Sequence, residues 1–149
     1  MRILLAILTA LMCGRILAQP ASDAAVRFRT VDVYVDSKEP PLAAYQLELS
    51  VTNSASAAKI VGIEGGESPA FSEPPFYDPQ AMQHEHIIIA AFSTNAVNQQ
   101  PKGKTRVASI HIQTSSAAEP EFALRLQVAA DSSGTKIPAE ASVEERKAK

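Results

Sequence analysis

The chain has few of the residues that usually anchor small exported or ligand-binding domains. It contains 149 residues with one Cys, no Trp and only 5% aromatic residues. A single Cys cannot close an internal disulfide, so a disulfide scaffold is excluded. The 46% of hydrophobic residues, mainly Val, Ile, Leu and Ala, suffice for the core of one domain. The composition therefore excludes a disordered chain and a multi-pass membrane protein.

Long runs of one charge are also missing, which argues against a nucleic-acid arm or a polyacidic tail. The formal net charge is −2, and it becomes −4 if a leader containing Arg2 and Arg15 is removed. Nucleic acids and anionic lipids are poor partners for such a surface. We therefore expect no nucleic-acid partner.

Residues 1–18 have the pattern of a secretory signal peptide. Arg2 precedes an apolar run from Ile3 to Met12, and Ala18 is a small residue ahead of a polar stretch. Ten apolar residues form a helix of about 15 Å, half the thickness of a bilayer core, so a permanent anchor is disfavoured. We expect cleavage after Ala18, with a periplasmic or extracellular mature domain of residues 19–149.

Cys13 leaves an alternative open within this segment. A lipoprotein signal also ends in a Cys, which is acylated and holds the protein on a membrane. A small residue is expected before such a Cys, whereas Met12 is large. We therefore expect Cys13 to be removed with the signal peptide, and we expect membrane contact only if Cys13 is lipidated.

Alternation with a period of two residues runs through the rest of the chain and predicts β-strands. No helical run of ten residues follows the signal segment, and turns rich in Gly, Pro, Asn and Ser separate the strands. We expect an all-β, antiparallel two-sheet sandwich, jelly-roll-like, with a core of about residues 26–143 and a frayed charged tail. The segments with strand patterns are 26–28, 31–35, 45–51, 58–64, 84–92, 106–113, 122–128 and 137–143.

Four details of these patterns make sharper predictions. Val26 and Phe28 are out of phase with Val31, so a bulge or break is expected near Thr30. Val128 follows the inward phase of its strand. Apolar residues at 87–89 suggest a strand that is central or covered on both faces. Pro138 makes the last segment an edge strand.

Recognisable catalytic and metal-binding motifs are missing from the sequence. His84 and His86 share one strand face, but no third zinc ligand lies nearby, so we expect two solvent-side histidines. Asp131 opens a stretch that could offer oxygen atoms to Ca²⁺, but one carboxylate is too few, and a hairpin turn is expected. We predict no catalytic residue, no metal and no cofactor: the protein is not expected to be an enzyme.

The stretch from Glu67 to Gln83 is the longest connection and contains Phe71, Phe76 and Tyr77. Four prolines stiffen it, and long loops in small domains are often functional. We expect Phe71 and Phe76 to fold back over one end of the sandwich and Tyr77 to face water as a contact residue. All three aromatic residues are candidate binding residues if the loop meets a partner.

The order of the segments resembles the bacterial cohesin domain and its carbohydrate-binding-module relatives. The resemblance covers about residues 26–143, but Val51-Thr52-Asn53 stands where a Tyr-Asp-Pro turn is usual, and a dockerin-like segment or second module is missing. Cohesins bind dockerin through one sheet face, which implies Gln46, Glu48 and Ser50 as contact positions. The segments that carry the resemblance are Val-Asp-Val-Tyr-Val (31–35), 44–53, 59–66, Ile-Ile-Ile-Ala-Ala-Phe-Ser-Thr (87–94), 105–112 and 126–131.

Two functions follow from this resemblance. The first is a non-catalytic interaction module that binds a protein partner, dockerin-like or unrelated, in the cell envelope or extracellular space. The alternative is a carbohydrate-binding module that recognises a polysaccharide. Modules of that kind often use a flat strip of Trp, which this chain lacks, although Tyr34 and Tyr77 could substitute.

Overall fold

The computed structural model describes residues 25–146. The predicted signal segment, Cys13 and residues 147–149 lie outside the described residues. Eight strands follow one another along the chain: β1 (Arg27–Asp36), β2 (Ala44–Val51), β3 (Lys59–Gly65), β4 (Phe76–Tyr77), β5 (His86–Phe92), β6 (Lys104–Thr114), β7 (Phe122–Ala130) and β8 (Glu140–Glu145).

The strands form two antiparallel sheets that pack face to face, so the predicted all-β sandwich is confirmed. Sheet I has the order β3-β6-β1-β8, and sheet II has the order β4-β5-β2-β7. Helical structure within the described part of the chain consists of three-residue 3₁₀ turns at Ser54–Ser56, Pro69–Phe71, Pro79–Ala81 and Val97–Gln99. No helix among residues 25–146 is long and apolar enough to cross a membrane.

The core lies between the two sheets and is built from one face of each strand. Leu47 and Leu49 of β2 lie opposite Ile89 and Ile87 of β5, and all four side chains are fully buried. Burying one such side chain contributes about 1.5–3 kcal/mol. The alternating pattern therefore both forms the strands and gives sheet II the apolar face that lies in the core.

The predicted bulge near Thr30 is wrong. Thr30 pairs with His111 in a continuous ladder between β1 and β6, and the register shifts only between Val33 and Tyr34. Phe28 is out of phase with the core residues because it points outward, where 71% of its surface is exposed. Since Phe28 is exposed, no bulge is required in β1 to bring it onto the same face as Val31.

The inward prediction for Val128 is also wrong. The register between β2 and β7 shifts between Gln46 and Leu47, which places one extra residue on β7. An extra residue reverses the alternation beyond it. Val128 consequently lies on the outer face of sheet II with 42% of its surface exposed, whereas Leu124 and Leu126 remain partly buried against the core.

The end of the described chain is ordered rather than frayed. β8 is an edge strand of sheet I, as the position of Pro138 predicted, but it continues to Glu145. The next residue, Arg146, donates from Nε to Oδ2 of Asp32 at 3.1 Å and from Nη2 to Oγ of Ser109 at 3.1 Å. These bonds fasten Arg146 to the outer face of sheet I.

Candidate binding face

Two glycines hold the long loop against the sandwich. A Cβ atom on Gly65 would overlap the carbonyl oxygen of Ser72, and one on Gly66 would overlap that of Arg106. Because neither residue has a side chain, the backbone N–H of Gly66 can donate to the carbonyl oxygen of Phe71 at 2.6 Å. The loop therefore has a fixed position over one end of the core.

Phe71 folds back into the core, as predicted. Its surface is 3% exposed, and its ring meets the ring of Tyr45 edge-on at a centroid distance of 5.2 Å. The Tyr45 hydroxyl donates to the carbonyl oxygen of Val107 at 3.1 Å, and burial raises the pKa of Tyr45. Phe71 is thus a core residue rather than part of a contact surface.

The structure reverses the predicted roles of Phe76 and Tyr77. Phe76 lies opposite Ala90 and is 69% exposed, whereas Tyr77 lies opposite the fully buried Ile89 and is 37% exposed. Directly opposed residues of an antiparallel pair share one face of the sheet. Pairing of β4 with β5 therefore turns Phe76 to solvent, and Tyr77 lies on the core side of an edge strand.

The outer face of sheet II carries a row of exposed apolar side chains. Ile88 is 42% exposed and Phe92 is 64% exposed, and the ring of Phe92 lies 6.1 Å from that of Phe76 with 10° between the ring planes. Ala90 lies between Ile88 and Phe92 on β5. We call Phe76, Ile88, Ala90 and Phe92 the apolar strip.

A band of polar side chains borders the apolar strip. Nε2 of His86 lies 2.7 Å from Oε1 of Glu48, and Nε2 of Gln127 donates to Oε2 of Glu48 at 3.1 Å. Gln46 donates to the side-chain oxygen of Gln127. The hydrogen bond from His86 is the main reason that the pKa of Glu48 is lowered. Of the predicted contact positions, Gln46 and Glu48 belong to this band.

Ser50, the third of those positions, occupies the end of the same face. It lies opposite His86 on β5 and opposite Ala123 on β7. The structure therefore brings Gln46, Glu48, Ser50 and Phe76 onto one face. Phe71 lies in the core, and Tyr77 lies at the β4 edge of the sheet. His84 and His86 are exposed, as predicted.

A groove of about 430 Å³ lies at the β4 edge of the apolar strip. Its walls are mainly apolar, from Phe76, Ala81, Ile88 and Ala90. Tyr77 and His86 also line it, and Asp78 is its only acidic residue. We call it the edge groove. Phe76 also borders a second hollow of about 310 Å³, which Phe92 and Glu73 help to line. The stacked rings of Phe76 and Phe92 thus form a ridge beside two depressions.

The outer face of sheet I has a different character, because several of its charges are paired with one another. The Asp32 carboxylate is 9% exposed and accepts from the hydroxyl of Ser109 at 2.7 Å. Ion pairs across this face join Arg146 to Asp32 (2.5 Å) and Lys104 to Glu144 (2.5 Å), and Nε2 of His111 lies 3.0 Å from Oε1 of Glu64. The outer face of sheet I is therefore mainly polar, with Phe28 as an exposed aromatic residue near the start of β1, while that of sheet II exposes a row of apolar groups.

The polar clusters that could have suggested a metal site have other partners. Asp131 accepts the backbone N–H groups of Ser133 and Thr135 at 2.9 Å each, which closes the turn after β7. Among residues 25–146, no group of three or more His, Cys, Asp or Glu side chains is arranged to hold a metal ion. The carboxylate of Asp131 therefore stabilises the turn after β7.

Sequence reasoning missed Ile88, Ala90 and Phe92. Apolar residues at both phases of β5 suggested that both faces were covered, and β5 does lie between β4 and β2. Its outer face is nevertheless exposed at Ile88 and Phe92. The sequence does contain this information, because β5 has apolar residues on both of its faces. Such a strand either is covered on both faces or exposes one of them as an interaction surface.

No protein-family model, curated protein or solved structure matches the chain. The resemblance to cohesins therefore stays a prediction, and the geometry of the apolar strip is the main basis for a functional proposal.

Proposed function

We propose that the protein is an exported, non-catalytic interaction module that binds a protein partner through the outer face of sheet II. The apolar strip is the observation that carries the proposal. Exposed apolar patches of this kind, bordered by polar groups, are typical of protein interaction sites. Phe76 and Phe92 are large and would contribute most of the apolar area that a partner could cover.

The surroundings of the apolar strip support this proposal. Protein interfaces combine an apolar centre with a polar rim. Here the rim is the band of Gln46, Gln127, Glu48 and His86, whose side chains are already hydrogen bonded to one another. Such a pre-arranged rim loses little conformational entropy when a partner binds. The cohesin resemblance implied contact positions on this same face.

The proposed place of action is the periplasm or extracellular space, with a partner of the cell envelope or its surroundings. The support is the signal-peptide pattern of residues 1–18. Mass spectrometry of the protein from its native source should find an N-terminus at Gln19. A retained Met1, or a lipid on Cys13, would replace this proposal with a cytoplasmic or a membrane-held protein.

A polysaccharide is the second candidate ligand. The observation that favours it is the near-parallel arrangement of the Phe76 and Phe92 rings, at 10° and 6.1 Å. Sugar rings stack on exposed aromatic faces, and the Phe76 and Phe92 side chains are both more than 60% exposed. The same surface would then serve a carbohydrate-binding module.

Affinity capture with matched surface variants tests the proposal. Phe92→Ser, combined with Ile88→Ser, removes two of the four side chains of the apolar strip without opening the core. The control is Phe28→Ser, since Phe28 is a comparably exposed aromatic residue on β1 of sheet I. We expect wild type and Phe28→Ser to retain the same envelope protein, and the double variant to bind it at least about tenfold more weakly.

A polysaccharide pull-down is run beside the capture with the same three proteins. Retention on polysaccharide that is lost in the double variant, with no protein partner captured, would favour the carbohydrate alternative. Equal capture by all three proteins would overturn the assignment of the outer face of sheet II. Circular dichroism and thermal unfolding of each variant establish that any lost binding is not lost folding.

A further inference from the structure

The edge groove and the charges around it allow a statement about the partner itself. We infer that the partner presents a large apolar side chain beside a Lys or Arg, with the apolar group in the edge groove and the cation against Asp78. This inference rests on the proposed function and specifies which segment the outer face of sheet II would take.

The apolar part of the inference follows from the groove. Its volume of about 430 Å³ lies within the range of about 300–1,000 Å³ that is typical of ligand clefts. Phe76, Ile88 and Ala90 line one side, and Ala81 lies in the 3₁₀ turn that follows β4. Insertion of an apolar side chain would remove water from these surfaces on both partners.

The cationic part follows from charge that lacks a local partner. Asp78 lines the edge groove, and Glu73 lines the neighbouring hollow. Neither carboxylate forms an ion pair with any other described residue. Neither depression is lined by a Lys or Arg side chain, and His86, which also lines the edge groove, is hydrogen bonded to Glu48. The two depressions beside the apolar strip therefore carry negative charge that is complementary to a cation.

The position of Asp78 is fixed by the chain around it. Its Oδ1 accepts the backbone N–H of Gln80 at 2.9 Å, so the side chain caps the 3₁₀ turn Pro79–Ala81. A carboxylate held in this way does not have to be ordered again when a cation approaches. On sheet I, by contrast, Asp32 and Glu144 already have Arg146 and Lys104 as partners.

Synthetic peptides of equal length test the inference directly. A central Leu-Phe pair is flanked by Lys in one peptide and by Glu in a second, and a Ser-Ser pair is flanked by Lys in a third. Binding to the purified protein is measured by NMR titration. We expect only the Lys-flanked Leu-Phe peptide to bind, with chemical-shift changes centred on Ile88 and Ala90.

A charge variant gives the matching measurement on the protein. Asp78→Asn keeps a capping side chain for the 3₁₀ turn but removes the charge. It should weaken binding of the Lys-flanked peptide about two- to fivefold at low salt, and the loss should shrink as salt screens the interaction. The control Glu140→Gln removes a carboxylate from the edge of sheet I and should leave binding unchanged.

The outcomes separate this inference from the proposed function. Equal binding of the Lys- and Glu-flanked peptides, or binding of neither, would overturn the inference even if a captured partner still requires Phe92 and Ile88. A captured partner that binds the Phe92→Ser, Ile88→Ser double variant as tightly as wild type would instead overturn the proposed function. Equal effects of Asp78→Asn and Glu140→Gln would show that only the net charge matters, which also contradicts a cation at Asp78.

Discussion

Asp32 is the acidic residue with the densest set of hydrogen bonds on sheet I. Burial by itself would raise its pKa, but hydrogen bonds from Arg146 and Ser109 and the charges of Arg146 and Arg106 outweigh this effect. The pKa of Asp32 is therefore lowered. A carboxyl group whose pKa is lower in the folded state stabilises the fold above its unfolded pKa of about 3.9. That stabilisation is lost as the pH falls through the folded pKa.

Substitution of Asp32 should consequently have a pH-dependent effect. We expect Asp32→Asn to lower the free energy of unfolding by about 1–3 kcal/mol at neutral pH, because Arg146 and Ser109 lose a charged acceptor. The difference from wild type should shrink as the pH falls below about 3.9, because the carboxyl of the unfolded chain takes up a proton there, and it should vanish below the lower pKa of the folded state. Urea unfolding across this pH range measures it. A constant difference from neutral to acidic pH would contradict the role of the charge.

Phe71 and Phe76 are five positions apart in the same loop but have opposite environments. Phe71 is 3% exposed and contacts Tyr45, whereas Phe76 is 69% exposed. Phe71→Ala should destabilise the protein by about 3–5 kcal/mol through the cavity that it leaves. Phe76→Ala should cost about 1 kcal/mol or less, because it removes mainly a surface stacking contact. Equilibrium unfolding of both variants checks this, and equal losses would contradict the placement of Phe76.

At the scale of elements, the loop between β3 and β5 depends on a close approach of two backbones. Gly65 has no room for a Cβ atom because the carbonyl oxygen of Ser72 occupies that space. The approach keeps Phe71 against the core and places β4 beside β5. The loop therefore determines where the apolar strip ends and where the edge groove begins.

Gly65→Ala tests this packing, with Gly134→Ala as its control. Gly134 has a positive φ of 81° but open space around it, so alanine there costs about 1–2 kcal/mol of backbone strain. Gly65→Ala should cost more, since the backbone at Ser72 must move. It should also increase proteolysis within the loop. Thermal unfolding and limited proteolysis measure the two effects, and a smaller loss for Gly65→Ala would show that the loop is not held by this contact.

The strands themselves were largely predictable from the sequence, and the bulges were not. Alternation in residues 45–51 and 122–126 states which face of the strand is apolar, because the period of two is a local property. The face on which the Val128 side chain lies depends on the register between β7 and β2, which is a property of two distant segments. For the same reason the prediction for Phe76 is wrong, because the pairing of β4 with β5 determines which face of the sheet its side chain lies on.

At the scale of the whole molecule, the sandwich has two unlike outer faces. Sheet I presents paired charges, including Asp32 with Arg146, and sheet II presents the apolar strip with its hydrogen-bonded rim. Apolar surface that is left exposed beside a fully satisfied polar rim is typical of a surface with a partner. This difference between the faces is the central claim of the account.

Hydroxyl-radical footprinting of the protein with and without its captured partner tests that claim most directly. The method reports the solvent exposure of individual aromatic side chains, and Phe28, Phe76 and Phe92 are all more than 60% exposed in the free protein. We predict that the partner protects Phe76 and Phe92 from oxidation and leaves Phe28 as reactive as before. Protection of Phe28 with unchanged oxidation of Phe76 and Phe92 would place the partner on sheet I and contradict the account.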